Sequence, residues 1–127
     1  MRYLLDTHTA LWALENKTKL SANAAAIIGD VTVSLALSVA SAWEVAIKVS
    51  MEKLDFEGGV AAFLRKMKDN GVAILNIEER HVEAVENLPY IHRDPFDRVL
   101  IATALADGMT IITADANIKK YDVNWVY

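Results

Sequence analysis

The chain has 127 residues, which is enough for one domain with a substantial buried core, and we predict a single domain over residues 1–127. Because it has no cysteine and only three histidines, disulfides and thiolate metal sites are excluded, and oxygen ligands would favour Mg²⁺ or Mn²⁺. The formal net charge of −4 is not the positive charge typical of a nucleic-acid binder. If several of the acids surround metal ions, however, the remaining acidic and basic residues balance. The composition is therefore compatible with a polyanionic substrate.

Short apolar strands alternate with helical segments along the chain. Strands are predicted at residues 2–6, 32–38, 72–77, 110–113 and 124–126. Helices are predicted at residues 9–15, 22–29, 40–51, 60–70, 78–87 and 95–107. This order indicates an α/β fold, a three-layer α/β/α sandwich with a central, mainly parallel sheet of four to five strands. No segment has the ~18 apolar residues that span a bilayer, and the N-terminus lacks a signal-peptide pattern, so we expect a cytoplasmic protein without membrane contact.

The helix at 95–107 has the clearest boundaries. Asp94 is a good N-cap, Pro95 suits the first helical position, and Asp97 lies at the third position, where a carboxylate is favourable. Gly108 is expected to end the helix. Most residues after the first turn are apolar or small, which predicts a buried helix. An acidic first turn on a buried helix indicates either a strong cap or part of a functional site.

Four acids are predicted at one edge of the sheet. Asp6 ends the first strand, Glu44 lies in the first turn of the helix after the second strand, Asp97 opens the helix at 95–107, and Asp115 follows the fourth strand. Ligand sites in open parallel sheets form beyond the carboxyl ends of the strands. A carboxylate cluster of this kind holds the divalent ions that activate water and stabilise a leaving phosphate oxygen. The pattern favours a metal-dependent catalytic site.

Each acid also has a purely structural interpretation. Glu44 could form a capping box with Ser41 and an ion pair with Lys48 one turn later. Each of the other three acids could cap or stabilise the start of the helix or turn that follows it. Taken singly, these interpretations are the more common ones. They do not explain why four such acids share one edge of the sheet, so together the residues favour a site.

The sequence resembles the PIN domain family, specifically the VapC-type toxins of bacterial and archaeal toxin–antitoxin pairs. The resemblance covers the whole chain and is strongest in the Asp-Pro-Phe-Asp-Arg segment that opens the helix at 95–107. The matching segments are Leu4-Leu5-Asp6-Thr7-His8, Ser41-x-Trp43-Glu44-x-Ala46-x-Lys48, Asp94-Pro95-Phe96-Asp97-Arg98-x-Leu100-Ile101-Ala102 and Thr113-x-Asp115.

This resemblance implies a Mg²⁺- or Mn²⁺-dependent ribonuclease that forms a homodimer and is inhibited by a cognate antitoxin protein. By the same resemblance, Asp6, Glu44 and Asp97 are the three central metal-binding and catalytic acids, and Asp115 is the fourth. The substrate is then RNA, cleaved by a water that the metal activates for in-line attack on a phosphodiester.

Three further side chains are candidates for supporting roles. The hydroxyls of Thr7 and Thr113 neighbour proposed metal ligands and could position a ligand, a water or a phosphate, or simply stabilise a turn. Arg98 could contact phosphate, but we favour a structural ion pair with Asp94.

We expect the histidines and two of the tryptophans to have structural rather than catalytic roles. His8, His81 and His92 are expected at the surface or in turns rather than in catalysis, although His8 is close enough to a proposed ligand to deserve a test. Trp12 and Trp43 are expected in the core or in an interface, where apolar residues of the early helices would form a groove for an antitoxin helix.

Three other functions are alternatives to this one. A receiver domain would need an acidic pair after the first strand and a phosphoacceptor aspartate after the third, where this chain has Asn76-Ile77-Glu78. A non-catalytic PIN module that binds RNA or protein would be indicated by loss of one of the central acids, and none is lost. An RNA-processing PIN nuclease without an antitoxin has the same site, so the sequence leaves that alternative open.

Overall fold

The computed structural model describes residues 1–127 and contains five strands and six α-helices. The strands are β1 (Arg2–Leu5), β2 (Ser34–Ser38), β3 (Ala73–Leu75), β4 (Thr110–Ile112) and β5 (Trp125–Val126). The helices are α1 (Thr7–Glu15), α2 (Ala22–Gly29), α3 (Val39–Ser50), α4 (Gly59–Asp69), α5 (Glu79–Glu86) and α6 (Pro95–Asp107). No helix combines the length and the hydrophobicity that crossing a lipid bilayer would require.

All five strands are parallel and follow the order β3-β2-β1-β4-β5. β1 lies at the centre of the sheet, where Leu5 is in register with Leu37 of β2 and with Ile112 of β4. Leu4 and Leu5 are both buried, as expected for a central parallel strand that is covered on its two faces. The predicted α/β fold with a parallel central sheet is confirmed, and the fifth strand is present.

Two apolar clusters lie on opposite faces of the sheet, because side chains alternate along each strand. Leu5 and Leu37 pack with Phe63 and other residues of α1–α4 on one face. Leu4 packs with Ile101 and other residues of α6 on the opposite face. The helices therefore form the two outer layers of the predicted sandwich, and α6 is buried as its composition indicated.

The start of α3 differs from the prediction. The helix begins at Val39 rather than at residue 40, and its N-cap is Ser38, whose hydroxyl accepts a hydrogen bond of 3.0 Å from the amide of Ala40. Ser41 is consequently inside the helix, and Glu44 lies in its second turn rather than in its first. The predicted capping box between these two residues is therefore wrong, because β2 runs directly into a cap at its own last residue.

The caps of α1 and α6 place acids at the carboxyl edge of the sheet. Asp6 is the N-cap of α1 and accepts a hydrogen bond of 2.8 Å from the amide of Thr9, so this helix begins two residues earlier than predicted. Asp94 caps α6 as predicted, accepting from the amides of Phe96 and Asp97, and Gly108 ends the helix with a φ of +64°.

Candidate active site

The four predicted acids lie at the carboxyl edge of the sheet. Asp6 directly follows β1, Asp115 follows β4, Asp97 is in the first turn of α6, and Glu44 is on α3 after β2. Asp6 and Asp115 line the same cleft, and the negative charges of Glu44 and Asp115 act on Asp97. The fold thus brings together residues that are separated by up to 109 positions in the sequence.

Asp6 is held by hydrogen bonds to both carboxylate oxygens. Oδ1 accepts from the amide of Thr9, and Oδ2 accepts from the hydroxyl of Thr113 in a buried contact. Burial raises the pKa of Asp6 above its ordinary value, although the donors Thr113 and Thr9 and the nearby His8 oppose that rise. Thr113, expected as a supporting residue, therefore does contact a proposed metal ligand.

Glu44 is held by two different donors. The hydroxyl of Thr7 donates to Oε1 over 2.7 Å, and the ammonium of Lys48 lies 2.9 Å from Oε2, which confirms the predicted ion pair. The Thr7 hydroxyl also lies 3.0 Å from that of Ser41. Because Thr7 and Glu44 are both buried, this hydrogen bond orients the carboxylate within the site.

Asp97 also has a raised pKa. Its pKa is raised to about 7, chiefly by burial and further by the negative charges of Asp94, Asp115 and Glu44. The single opposing contribution comes from His92, whose Nε2 lies 3.1 Å from Oδ2. A carboxylate whose pKa is raised towards 7 by burial and by neighbouring charges is typical of a functional site.

Asp115 combines a capping role with a place at the cleft. Its Oδ1 accepts hydrogen bonds from the amides of Asn117 and Ile118, at 2.8 and 3.0 Å, so it caps the following turn as the structural interpretation suggested. Its own amide donates to the Thr113 hydroxyl over 2.9 Å. Thr113 therefore bridges Asp115 and Asp6, and the cap does not remove Asp115 from the site.

These side chains fit a divalent metal ion by their chemistry. Carboxylate oxygens are the ligands that Mg²⁺ and Mn²⁺ prefer, and a cation would relieve the repulsion that raises the pKa of Asp97. No group of three or more His, Asp or Glu side chains is already arranged around a single metal position. Each acid is instead oriented by a donor of the protein, so binding would require these side chains to rotate.

Arg98 does not form the predicted ion pair with Asp94. Its guanidinium donates to the carbonyl of Pro89 and to the hydroxyl of Tyr121, both at 3.0 Å, and lies over the ring of Tyr90. The prediction was wrong because Arg98 is buried and finds its acceptors at Pro89 and Tyr121, while Asp94 caps the helix through Oδ1. Arg98 is thus a structural residue with different partners.

His92 is the residue that the sequence interpretation missed. The sequence predicts a surface or turn position for this histidine, but its ring joins Asp97 to Tyr121, with Nδ1 2.7 Å from the tyrosine hydroxyl. Its position five residues before Asp97 was the available signal. His81 is also not a surface residue, since it is fully buried and its Nε2 lies 2.8 Å from the carboxylate of Asp107.

A cleft of about 140 Å³ borders the acids and is lined by Asp6, His8, Trp12, Ala114 and Asp115. The rings of its His8 and Trp12 are 5.9 Å apart, and the partly exposed indole forms one wall. Trp12 therefore lies at the site rather than in the core.

Two other apolar features lie outside this cleft. Trp43 is 60% exposed and stacks edge-on against Phe96, so it too is outside the core. A larger cavity of about 230 Å³, lined mostly by apolar side chains that include Leu14, Leu20 and Ile28, contains none of the four acids. The acidic cleft is therefore the candidate active site.

The chain is similar to known proteins both in sequence and in fold. The sequence profile of the PIN domain family matches residues 3–124. Ribonuclease VapC22 of Mycobacterium tuberculosis is 27% identical over 119 residues, which are 93% of this chain and 90% of the relative. VapBC2 from Rickettsia felis, solved bound to a DNA fragment from their promoter, has a TM-score of 0.76 at 16% identity, covering 99% of this chain and 98% of that one. A toxin-antitoxin complex from Klebsiella pneumoniae has a TM-score of 0.61 at 17% identity, covering 98% and 96%.

Proposed function

The chain belongs to the PIN domain family, and from this premise we propose that it is a Mg²⁺- or Mn²⁺-dependent endoribonuclease that acts as the toxin of a type II toxin–antitoxin pair. The observation that carries the proposal is the gathering of four acids at the carboxyl edge of a parallel sheet, where burial, together with the charges of Asp94, Asp115 and Glu44, raises the pKa of Asp97 to about 7. The similarity to a ribonuclease, VapC22, over 93% of the chain supports the same activity.

Asp6, Glu44, Asp97 and Asp115 would hold the metal. A divalent cation bound there would supply a more acidic water and would neutralise negative charge on the phosphodiester. The chain's own donors prepare the acids for this task, because Thr113 and Thr7 orient Asp6 and Glu44 before any substrate arrives. Such preorganisation lowers the cost of assembling the site.

We propose that the cleft beside the acids binds the nucleotide next to the scissile bond. Trp12 and His8 line this cleft with their rings 5.9 Å apart, and Asp6 and Asp115 line it as well. The ammonium of Lys19 lies 5.9 Å from the Trp12 ring, which places positive charge next to one aromatic residue of the cleft. Aromatic rings next to a cation are a common means of holding single-stranded nucleic acid.

An antitoxin and a second copy of this chain are the proposed protein partners. The fold matches that of a chain in a toxin-antitoxin complex from Klebsiella pneumoniae. We place an antitoxin helix at the apolar cavity of about 230 Å³, where Leu14, Leu20 and Ile28 supply an apolar surface. A homodimer would cover exposed apolar side chains such as Leu105 and Ile91.

The test is cleavage of a mixed RNA pool by the purified protein with Mg²⁺, with Mn²⁺ and with EDTA. We expect cuts that require metal and that disappear in Asp97→Asn, while Asp122→Asn, which changes an exposed carboxylate outside the site, keeps them. RNA binding without cleavage by a folded, antitoxin-free protein would instead support a non-catalytic module. Metal-dependent cleavage that does not respond to any purified antitoxin candidate would support an RNA-processing nuclease.

A further inference from the structure

We propose that His92 is a positioning residue for Asp97, held by Tyr121 in the one tautomer that donates a hydrogen bond to this acid. The inference rests on the proposed metal-dependent function and adds a residue to it. His92 Nε2 lies 3.1 Å from Asp97 Oδ2, and no hydrogen bond of the structure uses Asp97 Oδ1. The histidine therefore occupies one oxygen of the carboxylate and leaves the other for a cation.

The tautomer follows from the hydrogen bonds of Tyr121. Its hydroxyl oxygen accepts from the guanidinium of Arg98 at 3.0 Å and from the backbone amide of His92 at 3.3 Å. These two donors occupy both lone pairs of the oxygen, so its single proton points elsewhere. The remaining neighbour is His92 Nδ1, at 2.7 Å. Nδ1 is thus an acceptor, and the proton of the neutral ring lies on Nε2, facing Asp97.

The network that fixes the ring is buried and anchored at several points. Tyr121 is 4% exposed and Arg98 is 8% exposed, and Arg98 also donates to the carbonyl of Pro89. The rings of His92 and Tyr121 pack edge to face, 5.4 Å apart. Arg98 follows Asp97 on α6, whereas Tyr121 comes from the C-terminal segment, so two distant parts of the chain determine the orientation of His92.

Asp97 needs such a donor because its surroundings are negative. Burial is the largest effect that disfavours its charge, Asp94, Asp115 and Glu44 add to it, and the hydrogen bond from His92 opposes them. Without that hydrogen bond, the carboxylate would be free to rotate away from its neighbours. In metal sites, hydrogen bonds of this kind orient the ligand, and their loss weakens metal affinity by about 10- to 100-fold.

The test compares His92→Gln with His92→Asn, using Mn²⁺ binding to the whole protein measured by calorimetry without RNA. A glutamine amide reaches the position of Nε2 and can still donate to Asp97, whereas an asparagine amide reaches only the position of Nδ1. We expect His92→Asn to weaken Mn²⁺ binding about tenfold, His92→Gln to stay near the wild type, and both variants to melt at similar temperatures.

A second variant tests whether Mn²⁺ binding depends on the tautomer of His92 and not only on the presence of the imidazole ring. Tyr121→Phe keeps His92 but removes the proton donor to Nδ1, so we expect weaker Mn²⁺ binding and a mixture of tautomers by ¹⁵N NMR of the imidazole. The matched control is Tyr90→Phe, which removes an exposed hydroxyl and keeps the ring over Arg98. In the wild type, the same spectrum should show the proton on Nε2.

The outcomes separate this inference from the proposed function. A proton on Nδ1 in the wild-type spectrum, or unchanged Mn²⁺ binding and cleavage in His92→Asn, would overturn the role of His92 while leaving the nuclease intact. A wild type that neither binds Mn²⁺ nor cleaves RNA would instead overturn the proposed function, and with it the positioning role.

Discussion

Thr113 and Asp6 lie 107 positions apart in the sequence, yet the Thr113 hydroxyl donates a buried hydrogen bond to the Asp6 carboxylate. The same hydroxyl accepts from the amide of Asp115 at 2.9 Å. One threonine therefore touches two candidate metal ligands, and it does so between the neighbouring strands β1 and β4. The site is complete only when the first and last parts of the chain have folded together.

Replacing this threonine should change both the rate and the pH dependence of RNA cleavage. Thr113→Val keeps the volume of the side chain but removes the donor that lowers the pKa of Asp6, so that pKa should rise further. We expect kcat/KM to fall about tenfold and the acid limb of its pH profile to move to higher pH. Steady-state cleavage of an RNA oligonucleotide between pH 5 and 9 measures both effects.

The matched control is Thr113→Ser, which keeps the hydroxyl and should restore the wild-type pH profile. If the serine variant, which keeps the hydroxyl, loses as much activity as the valine variant and neither shows a shift in pH, the hydrogen bond to Asp6 is not what matters at this position.

The local features of the site follow directly from the sequence. Asp94 and Pro95 define the start of α6 by capping alone, which places Asp97 in the first turn of that helix. Asp6 and Asp115 come after strands whose apolar composition identifies them. Because parallel strands share a carboxyl edge, their grouping could be predicted without coordinates.

The partners of these acids could not be predicted in the same way. Ser38 and Ser41 are both reasonable caps for α3, and the end of β2 decides between them. Tyr121 is 29 positions from His92, and no local pattern relates the two. Arg98 has an acid four residues before it on the same helix, but its burial selects other acceptors. Such choices depend on tertiary packing, which periodicity does not encode.

The cleft predicts a specific role for Trp12 in substrate binding. Trp12→Ala removes the indole wall without touching an acid, so we expect KM for RNA to rise about 5- to 20-fold while kcat changes less than threefold. Trp125→Ala, which removes a partly exposed indole that packs under Lys119 and does not line the cleft, is the matched control. A loss confined to kcat in Trp12→Ala would contradict a binding role.

Asp107 is predicted to stabilise the fold through α5 rather than to take part in the reaction. Hydrogen bonds from Arg80, and to a smaller extent from His81, lower its pKa to about 2. The ionised carboxylate therefore stabilises the folded state fully when the pH is above 3.8, the ordinary pKa of this group. This contribution is lost as the pH falls towards 2. Asp107→Asn should lower the free energy of unfolding by about 1–2 kcal/mol at pH 7 and by less at pH 3.

Urea denaturation of this variant beside Asp122→Asn, which alters an exposed carboxylate without an ion pair, provides the comparison. The cleavage rate of folded Asp107→Asn should equal that of the wild type. A loss of activity that exceeds the loss of folded protein would contradict a purely structural role.

The carboxylate of Asp97 should make the protein less stable as the pH rises, whereas that of Asp107 makes it less stable as the pH falls. Burial and neighbouring charges raise its pKa from 3.8 to about 7, so the folded state binds a proton more tightly than the unfolded state between these values. Asp97→Asn should therefore match the wild type near pH 4 and exceed its free energy of unfolding by about 2–4 kcal/mol at pH 8 in EDTA. Because a cation would relieve the same repulsion, saturating Mg²⁺ at pH 8 should stabilise the wild type but give a smaller gain in the variant. Urea denaturation at both pH values measures these differences. If the free energy of unfolding depends on pH in the same way in both proteins, the ionised carboxylate of Asp97 does not destabilise the fold.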